Sequence, residues 1–480
     1  MTDLQNTGRL KSLLDEDLRA EVFGHISDAT VVNELRYYAL IDFAHVSMLQ
    51  QQGIVESQPG TALKAEIGRL FSTDFQDLIN LPTQRGTYLC YENYLINLLG
   101  VATGGLLQTG RSRNDLNATV FKMRLRERMA KTLMLLQTLL QTIQARASSE
   151  TSTLFPAFTH YQTAFTSTLG HYLSGIATHL FRDADKLLSA LPLLDNCPLG
   201  ACAGGGTTIP IDRHLTANLL GFSGPVRHSI DAVASRDSCL HILSAMASIS
   251  TTLSRCASDI VFMSSNETAL LLLPDSLVGS SSNMPQKRNP FLLEIVKGRS
   301  ANIVSAWTST ATAMQWNAFS NSVAISSEAT RPIWSALDDL DFTLRLMSKI
   351  IEGIEVNQQQ ALRTMESGMI DAVYIAEQLA YRDHVPFRDA HHTVGEQVNS
   401  AIADNVALRS KFSSADQSPE QWFGNIATAT AYGGGCGDPV DLEPTYQQFS
   451  SQHRLWLENW QPAINDLTDA VRQSASGTHI

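Results

Sequence analysis

Three stretches of the chain group residue types suited to proton transfer or anion binding. The first, Gly279 to Pro290, reads GSSSNMPQKRNP, with Lys287 and Asn289 flanking Arg288. Its small hydroxyl-bearing residues predict a mobile loop. Composition leaves three readings open: a solvated linker, a phosphate cradle, or a serine nucleophile or base beside a cation. The second, Thr109-Gly110-Arg111-Ser112-Arg113-Asn114-Asp115, puts two arginines and short polar donors at a predicted helix start. Such a start suits a carboxylate or a phosphate, because Arg donates in pairs and a helix N-terminus has free N–H groups. It also fits a plain capped helix with surface charge. The third, Thr159-His160-Tyr161-Gln162, follows Pro156. Its histidine fits a general acid or base, and equally a hydrogen-bonded core or surface residue.

Other site chemistries lack their residues. Lys287 has no glycine pattern ahead of it of the kind a P-loop requires, and no G-x-S-x-G elbow occurs. The six cysteines (Cys90, Cys197, Cys202, Cys239, Cys256, Cys436) include no C-x-x-C pair, so neither a disulfide nor a structural metal is expected. A net charge of −12 over 480 residues opposes non-specific binding to nucleic acid or an acidic membrane. A small-molecule partner is therefore expected, not an RNA-binding role. The opening MTDLQNTGRLKSLLDEDLRA lacks a basic start followed by an apolar run, and stretches such as Leu270 to Leu273 are far shorter than the ~20 residues of a spanning helix. A cytoplasmic protein is expected.

The elements that must position these stretches are helices. Apolar spacing near 3.6 dominates, and almost no alternating strand-like windows occur. Met129, Leu133, Leu136, Leu140 and Ile143 form one stripe, and Leu337, Leu340, Leu344, Met347 and Ile351 form another. Both read as seams between helices, filled either by the chain's own core or by a second copy. With 44% apolar residues a large core is available, and the fold class is all-α. Punctuation near Gly53, Cys197–Gly206, Gly279–Pro290 and Ala431–Pro439 divides the chain into an N-terminal helical part (1–110), a long central helical bundle (111–365) and a C-terminal helical part (366–480).

Taken together the three stretches resemble the argininosuccinate lyase family of the fumarase/aspartase superfamily. The superfamily loop G-S-S-x-M-P-x-K-x-N is similar to Ser280-Ser281-Ser282-Asn283-Met284-Pro285-Gln286-Lys287-Arg288-Asn289, with serine for the glycine, and T-G-R-S-R-N-D stands unchanged at 109–115. The likeness continues through Pro198-Leu199-Gly200, Gly206-Thr207-Thr208, Pro210-Ile211-Asp212-Arg213, Leu220-Gly221-Phe222, Arg236-Asp237, Val385 to His392, Val394-Gly395 and Tyr432-Gly433-Gly434.

The resemblance implies β-elimination of fumarate from an N-substituted aspartate, or the reverse addition of an amine to fumarate, without a cofactor. Such a reaction draws a proton from carbon next to a carboxylate, and the dianion formed needs stabilisation. Ser281 matches the general base, a role a serine fills only beside a cation and backbone donors in a closed, dry pocket. Lys287 and Asn289 match the groups that hold the dianion. His160 matches a histidine of the proton-transfer apparatus, and Glu294 its acidic partner. Ser112, Asn114 and Thr159 match positions that hold the fumarate half, with Arg113 and Gln162 beside them as further substrate contacts. The resemblance also implies a homotetramer whose sites are shared among subunits. On that basis the two stripes become subunit contacts.

Departures from the family pattern fall at the amine end. The Y-N-x-D-x-Q-x-x-K segment, which handles the arginine portion in the family, is replaced over Trp316 to Arg331 by WNAFSNSVAISSEATR, without lysine, aspartate or tyrosine. E-D-x-H becomes Arg85-Gly86-Thr87-Tyr88, S-x-A-H becomes Asp42-Phe43-Ala44-His45, and T-H-x-Q-x-A-Q-P ends in Phe165-Thr166. Asp42 is expected to line the pocket and pair with a different amine or guanidinium. These changes point to an N-substituted aspartate other than argininosuccinate. The alternatives are an authentic argininosuccinate lyase and a catalytically silent, crystallin-like relative.

Overall fold

The structure is a computed structural model that describes residues 15–23, 29–79, 81, 86–412 and 416–475. Arg85 and residues 1–14 of the opening segment lie outside them. An N-terminal group of helices, α1 (Ala29–Gln51), α2 (Ser57–Ser72) and α3 (Thr87–Leu99), closes over its own core of Leu35, Ile41, Leu63, Leu70 and Tyr91. Five long helices follow: α4 (Arg113–Ser149), α5 (Leu169–Ala190), α6 (Asp237–Met263), α7 (Phe291–Gln315) and α8 (Pro332–Gly353). They share one apolar core. A third core gathers Leu154, Met365, Ile375, Trp422 and Phe423. The last helices, α9 (Glu443–Glu458) and α10 (Gln461–Ser474), turn back: Phe449 and Trp456 enter the bundle core, while Leu467 and Val471 enter the N-terminal one.

Burial corrects the assignment of the two stripes to subunit contacts. Met129, Leu133, Leu136 and Leu140 are 0% exposed within the single chain, as are Leu337, Leu340, Leu344 and Ile351. The chain's own helices fill both seams. Helices α4 and α8 run parallel, tied by Thr132 Oγ1 donating to Asp341 Oδ1 at 2.6 Å near the middle and by Arg146 donating to the Ile354 carbonyl at 2.8 Å near the end. Truncating a fully buried leucine of either stripe to alanine costs about 2–5 kcal/mol, so the stripes hold the protomer together.

A second correction concerns residues 154–168, where no hairpin was expected. Here β1 (Leu154–Thr159) pairs antiparallel with β2 (Gln162–Thr168), with a bulge between Ala157 and Phe158. The two-residue connection is His160-Tyr161, with φ of 53° and 59°. A type I′ hairpin turn requires positive φ at both central positions and usually uses Asn or Gly there, so this turn leaves no compositional mark in the sequence.

Candidate active site

At the N-terminus of α4, Ser112 caps the helix: its Oγ accepts from the Asn114 N–H at 3.3 Å, and Asp115 Oδ1 accepts from the Ser112 N–H at 2.9 Å. This reciprocal box explains why S-R-N-D stops one segment and starts the next. The second oxygen of Asp115 accepts from the Gly200 N–H at 2.8 Å and the Cys202 N–H at 2.7 Å, which pins the PLG segment to the turn. Burial pushes the Asp115 carboxyl up to about 6, against the pull of those N–H groups and of Arg111. The side chains of Arg113 and Asn114 sit on the outer side of this first turn, exposed and half-buried respectively.

The segment before the cap is gripped by α1. Arg111 Nη2 lies 2.6 Å from Asp42 Oδ1, with both side chains 0% exposed. Nη2 also donates to Tyr88 Oη at 2.6 Å. Desolvation works against the Arg111 charge, yet contact with Asp42 keeps it above the ordinary guanidinium value. One turn further along α1, His45 Nε2 donates to the Thr109 carbonyl at 2.8 Å. Burial, then the nearby Arg111 charge, drops this imidazole to about 3. Asp42 thus departs from the expectation of a pocket-lining residue: buried and ion-paired inside the fold, it has no free face for a substrate amine.

Loop 279–290 is closed at its neck by two hydrogen bonds, Gly279 N–H to the Asn289 carbonyl and Asn289 N–H to the Gly279 carbonyl, each 2.8 Å. Between them the chain stands out in solvent, and Lys287 is exposed. Ser281 Oγ accepts from the Met284 N–H at 3.1 Å and the Asn283 N–H at 3.4 Å. Backbone donors aimed at a hydroxyl oxygen favour its charged form. The Asn289 side-chain amide donates to the Ser280 carbonyl at 3.4 Å. Arg288 pairs with Asp275 and donates to the Leu273 carbonyl, which fastens the loop base to the segment beside β-paired Leu271–Leu272 and Glu355–Val356. Glu294 lies on the first turn of α7, just beyond the loop.

Thr159, His160, Tyr161 and Gln162 form the exposed tip of the β1–β2 hairpin, with the Tyr161 ring 5.3 Å from that of Phe262 near the end of α6. Among the described residues neither the His160 nor the Glu294 side chain has a hydrogen-bond or ion-pair partner, so the expected pair is not made within one chain.

The 112–114 turn meets neither the hairpin nor the loop of the same protomer. The hairpin follows the C-terminal end of α4, and the Arg146–Ile354 contact with the 271–272/355–356 pairing places the loop base at that same end. Ser112, Arg113 and Asn114 lie at the other end of a helix of 37 residues, which at 1.5 Å per residue is about 55 Å long. Arg111, Tyr88, His45 and Asp115 fall in the sequence motifs, but the sequence assigned none of them a place in the site; for Asp115, its place three residues after a capping serine was the available signal. Among the described residues no helix is long and apolar enough to cross a membrane.

Comparison with known proteins identifies the family and the fold. Residues 76–305 match a family model described as Lyase, and residues 369–420 match one described as Argininosuccinate lyase C-terminal. The chain is 31% identical to argininosuccinate lyase 1 of Shouchella clausii over 97% of this chain and 96% of that protein. It is 35% identical to the argininosuccinate lyase of a Chelativorans species over 74% of this chain and 75% of that one. Among solved structures, an EDDS lyase variant with bound fumarate superposes with a TM-score of 0.79 at 25% identity, covering 93% of each chain. The class II fumarase of Schistosoma mansoni shares the fold, with a TM-score of 0.68 at 17% identity over 82% of this chain and 89% of that one. The protein is a carbon–nitrogen lyase that eliminates fumarate from an N-substituted aspartate, and the chain belongs to the argininosuccinate lyase family of the fumarase/aspartase superfamily.

Proposed function

We propose that the lyase site forms between copies of the chain, with the 112–114 turn of one protomer meeting the His160 hairpin and the Ser281 loop of others in a homotetramer. The single observation that carries this reading is the length of α4, which holds the turn about 55 Å from the hairpin end of the same protomer. Association through α7 is supported by its outward face, where Gly298, Ala301, Ser305 and Thr308 are exposed and Val304 and Trp307 are 39% and 40% exposed. Small side chains there let a second helix approach closely, and the two larger ones supply apolar area.

In this reading Ser112, Asn114 and Thr159 hold the carboxylates of the fumarate half, with Arg113 and Gln162 as flanking contacts. Ser281 takes the proton from the carbon next to the carboxylate that becomes doubly charged. The Met284 and Asn283 N–H groups already face its oxygen, and closure of the loop brings the Lys287 ammonium to the developing dianion. A charge-assisted contact in a water-free site is worth several kcal/mol more than the same contact in solvent. Asn289 adds an amide donor. His160, paired with Glu294 of a neighbouring copy, assists departure of the nitrogen. The proposed setting is the cytoplasm, which six unpaired cysteines support.

The leaving amine is proposed to differ from arginine. Over 316–331, Trp316, Phe319 and Val323 stand 84%, 74% and 70% exposed, and the segment offers no lysine or aspartate to a charged amino-acid end. Fumarate release from a panel of N-substituted aspartates, argininosuccinate included, tests the reading, with Ser281→Ala as control and the same amines plus fumarate run in reverse. Cleavage of argininosuccinate at the highest kcat/KM of the panel overturns the proposed leaving group. Full activity of Ser281→Ala on the best substrate overturns the assignment of the base.

A further inference from the structure

Asp42 and Tyr88 lie 46 residues apart, on α1 and α3, and each replaces a residue of the family pattern, Ser in S-x-A-H and His in E-D-x-H. The fold brings both replacements onto one guanidinium. Arg111 Nη2 lies 2.6 Å from Asp42 Oδ1 and 2.6 Å from Tyr88 Oη, while the Tyr88 hydroxyl donates to Asp42 Oδ2 at 3.4 Å. Arg111 also stands 5.7 Å from the Tyr88 ring centroid. Its Nε and Nη1 have no hydrogen-bond partner, so these two side chains account for the polar contacts that hold it. The acids of E-D-x-H are absent at positions 85 and 86, now Arg and Gly. The carboxylate that a buried guanidinium requires comes instead from α1.

Arg111 immediately precedes Ser112, whose backbone and hydroxyl set the first turn of α4. Asp42 and His45, three residues apart on one face of α1, thus fix residue 111 by its side chain and residue 109 by its carbonyl. We infer that Asp42 and Tyr88 are a matched pair of positioning residues which, through Arg111, set Ser112 and Asn114 to receive the substrate's carboxylates. Neither touches the substrate. This inference rests on the proposal that the 112–114 turn binds the fumarate half. The pair is matched because a serine at 42 leaves the buried cation without a carboxylate in direct contact, Glu92 and Asp115 acting on it only through space, and a histidine at 88 removes the hydroxyl that bridges cation and carboxylate.

The test uses the full-length protein and a double-mutant cycle of Asp42→Ser, Tyr88→His and both together, with Asp42→Asn and Tyr88→Phe as conservative variants. The readouts are KM and kcat on the best substrate of the panel and the inhibition constant of succinate. The expected result is that Asp42→Asn raises KM and the succinate constant together by about tenfold or more, with kcat changed less, since misplacement by about 1 Å costs up to about a hundredfold. A merely structural role lowers the folded fraction and leaves both constants of the folded enzyme alone. Tyr88→Phe keeps the ion pair and serves if Asp42→Asn fails to fold; its expected rise is about threefold, read on the folded enzyme. The double reversion is expected to differ from the sum of the single ones by at least about threefold. Additive effects, or conservative variants whose constants stay within about twofold of the parent, overturn the inference. If Ser112→Ala and Asn114→Ala also leave the succinate constant unmoved, the underlying reading of the turn falls. If they weaken succinate while Asp42→Asn does not, only the positioning pair falls.

Discussion

The Arg111 guanidinium and the Asp42 carboxylate meet at 2.6 Å with neither side chain reached by solvent. An ion pair buried this deeply gains little net stability over a well-packed apolar pair, yet loss of one member strands the other. Arg111→Met is therefore expected to destabilise the fold by about 3–5 kcal/mol, measured from urea midpoints at one fixed protein concentration. A loss below about 1 kcal/mol would mean that Asp42 finds another partner or takes up a proton at little cost.

The loop proposal separates chemistry from binding. Ser281→Ala is expected to lower kcat by about a hundredfold or more, because among the described residues no other hydroxyl receives the Met284 N–H. Succinate inhibition should stay within about threefold of the parent, since the carboxylate contacts lie elsewhere. Lys287→Met is expected to cost about 10²–10³ in kcat through loss of dianion stabilisation. Steady-state kinetics on one substrate with both variants decides the matter, and a change confined to KM contradicts the assigned roles.

Sharing of sites between copies has an all-or-none signature. Ser281→Ala and Asn114→Ala protomers, each strongly impaired alone, are denatured together in equal amounts and refolded. With the two residues contributed by different copies, random assembly leaves about one quarter of the sites intact, each residue being present with a chance of about one half. The mixture should regain activity in that proportion. No recovery in a mixture shown by mass spectrometry to contain hybrid tetramers would place both residues in one protomer's site.

The pH dependence of stability carries the mark of His45. Folded, its imidazole is held at about 3 by burial and by the Arg111 charge, against an ordinary value of 6.5. Above pH 6.5 it is neutral in both states, and its contribution is fully present. As pH falls from there towards 3 the unfolded chain takes up a proton that the folded chain refuses. Stability is then lost at about 1.4 kcal/mol per pH unit. Asp115, raised from 3.8 to about 6, acts with the opposite sign, gaining stability as pH falls from about 6 to about 4. His45→Gln keeps a donor for the Thr109 carbonyl and removes the titration. The stability difference between parent and variant, followed by urea unfolding from pH 7 to pH 5, should move against the parent by about 1.4 kcal/mol per unit below pH 6.5. A flat difference contradicts a neutral, buried His45.

Much of this molecule is local information. The 3.6-residue spacing of Met129 to Ile143 and of Leu337 to Ile351 specifies helices whichever partner fills the seam, because the period depends only on backbone geometry. The Ser112–Asp115 box and the small-residue loop before Lys287 are equally local. Each can be read from fewer than about ten residues because capping and loop formation are nearest-neighbour effects. The sequence by itself therefore determined the helical class and the family motifs.

Tertiary structure decided the relations between distant segments. His160-Tyr161 takes two left-handed φ values that neither residue favours; the strands on either side impose them. The two stripes face the chain's own core, since a seam's spacing says nothing about whose side chains fill it. Asp42 looked like a free charge in a pocket wall, and the fold closes α1 and α3 around Arg111 instead. An aspartate's neighbours are set by long-range packing, and a buried charge persists only where that packing supplies its counter-ion. The rigid length of α4 holds Ser112 and His160 at opposite ends of one protomer, a separation fixed by helical rise and absent from any motif.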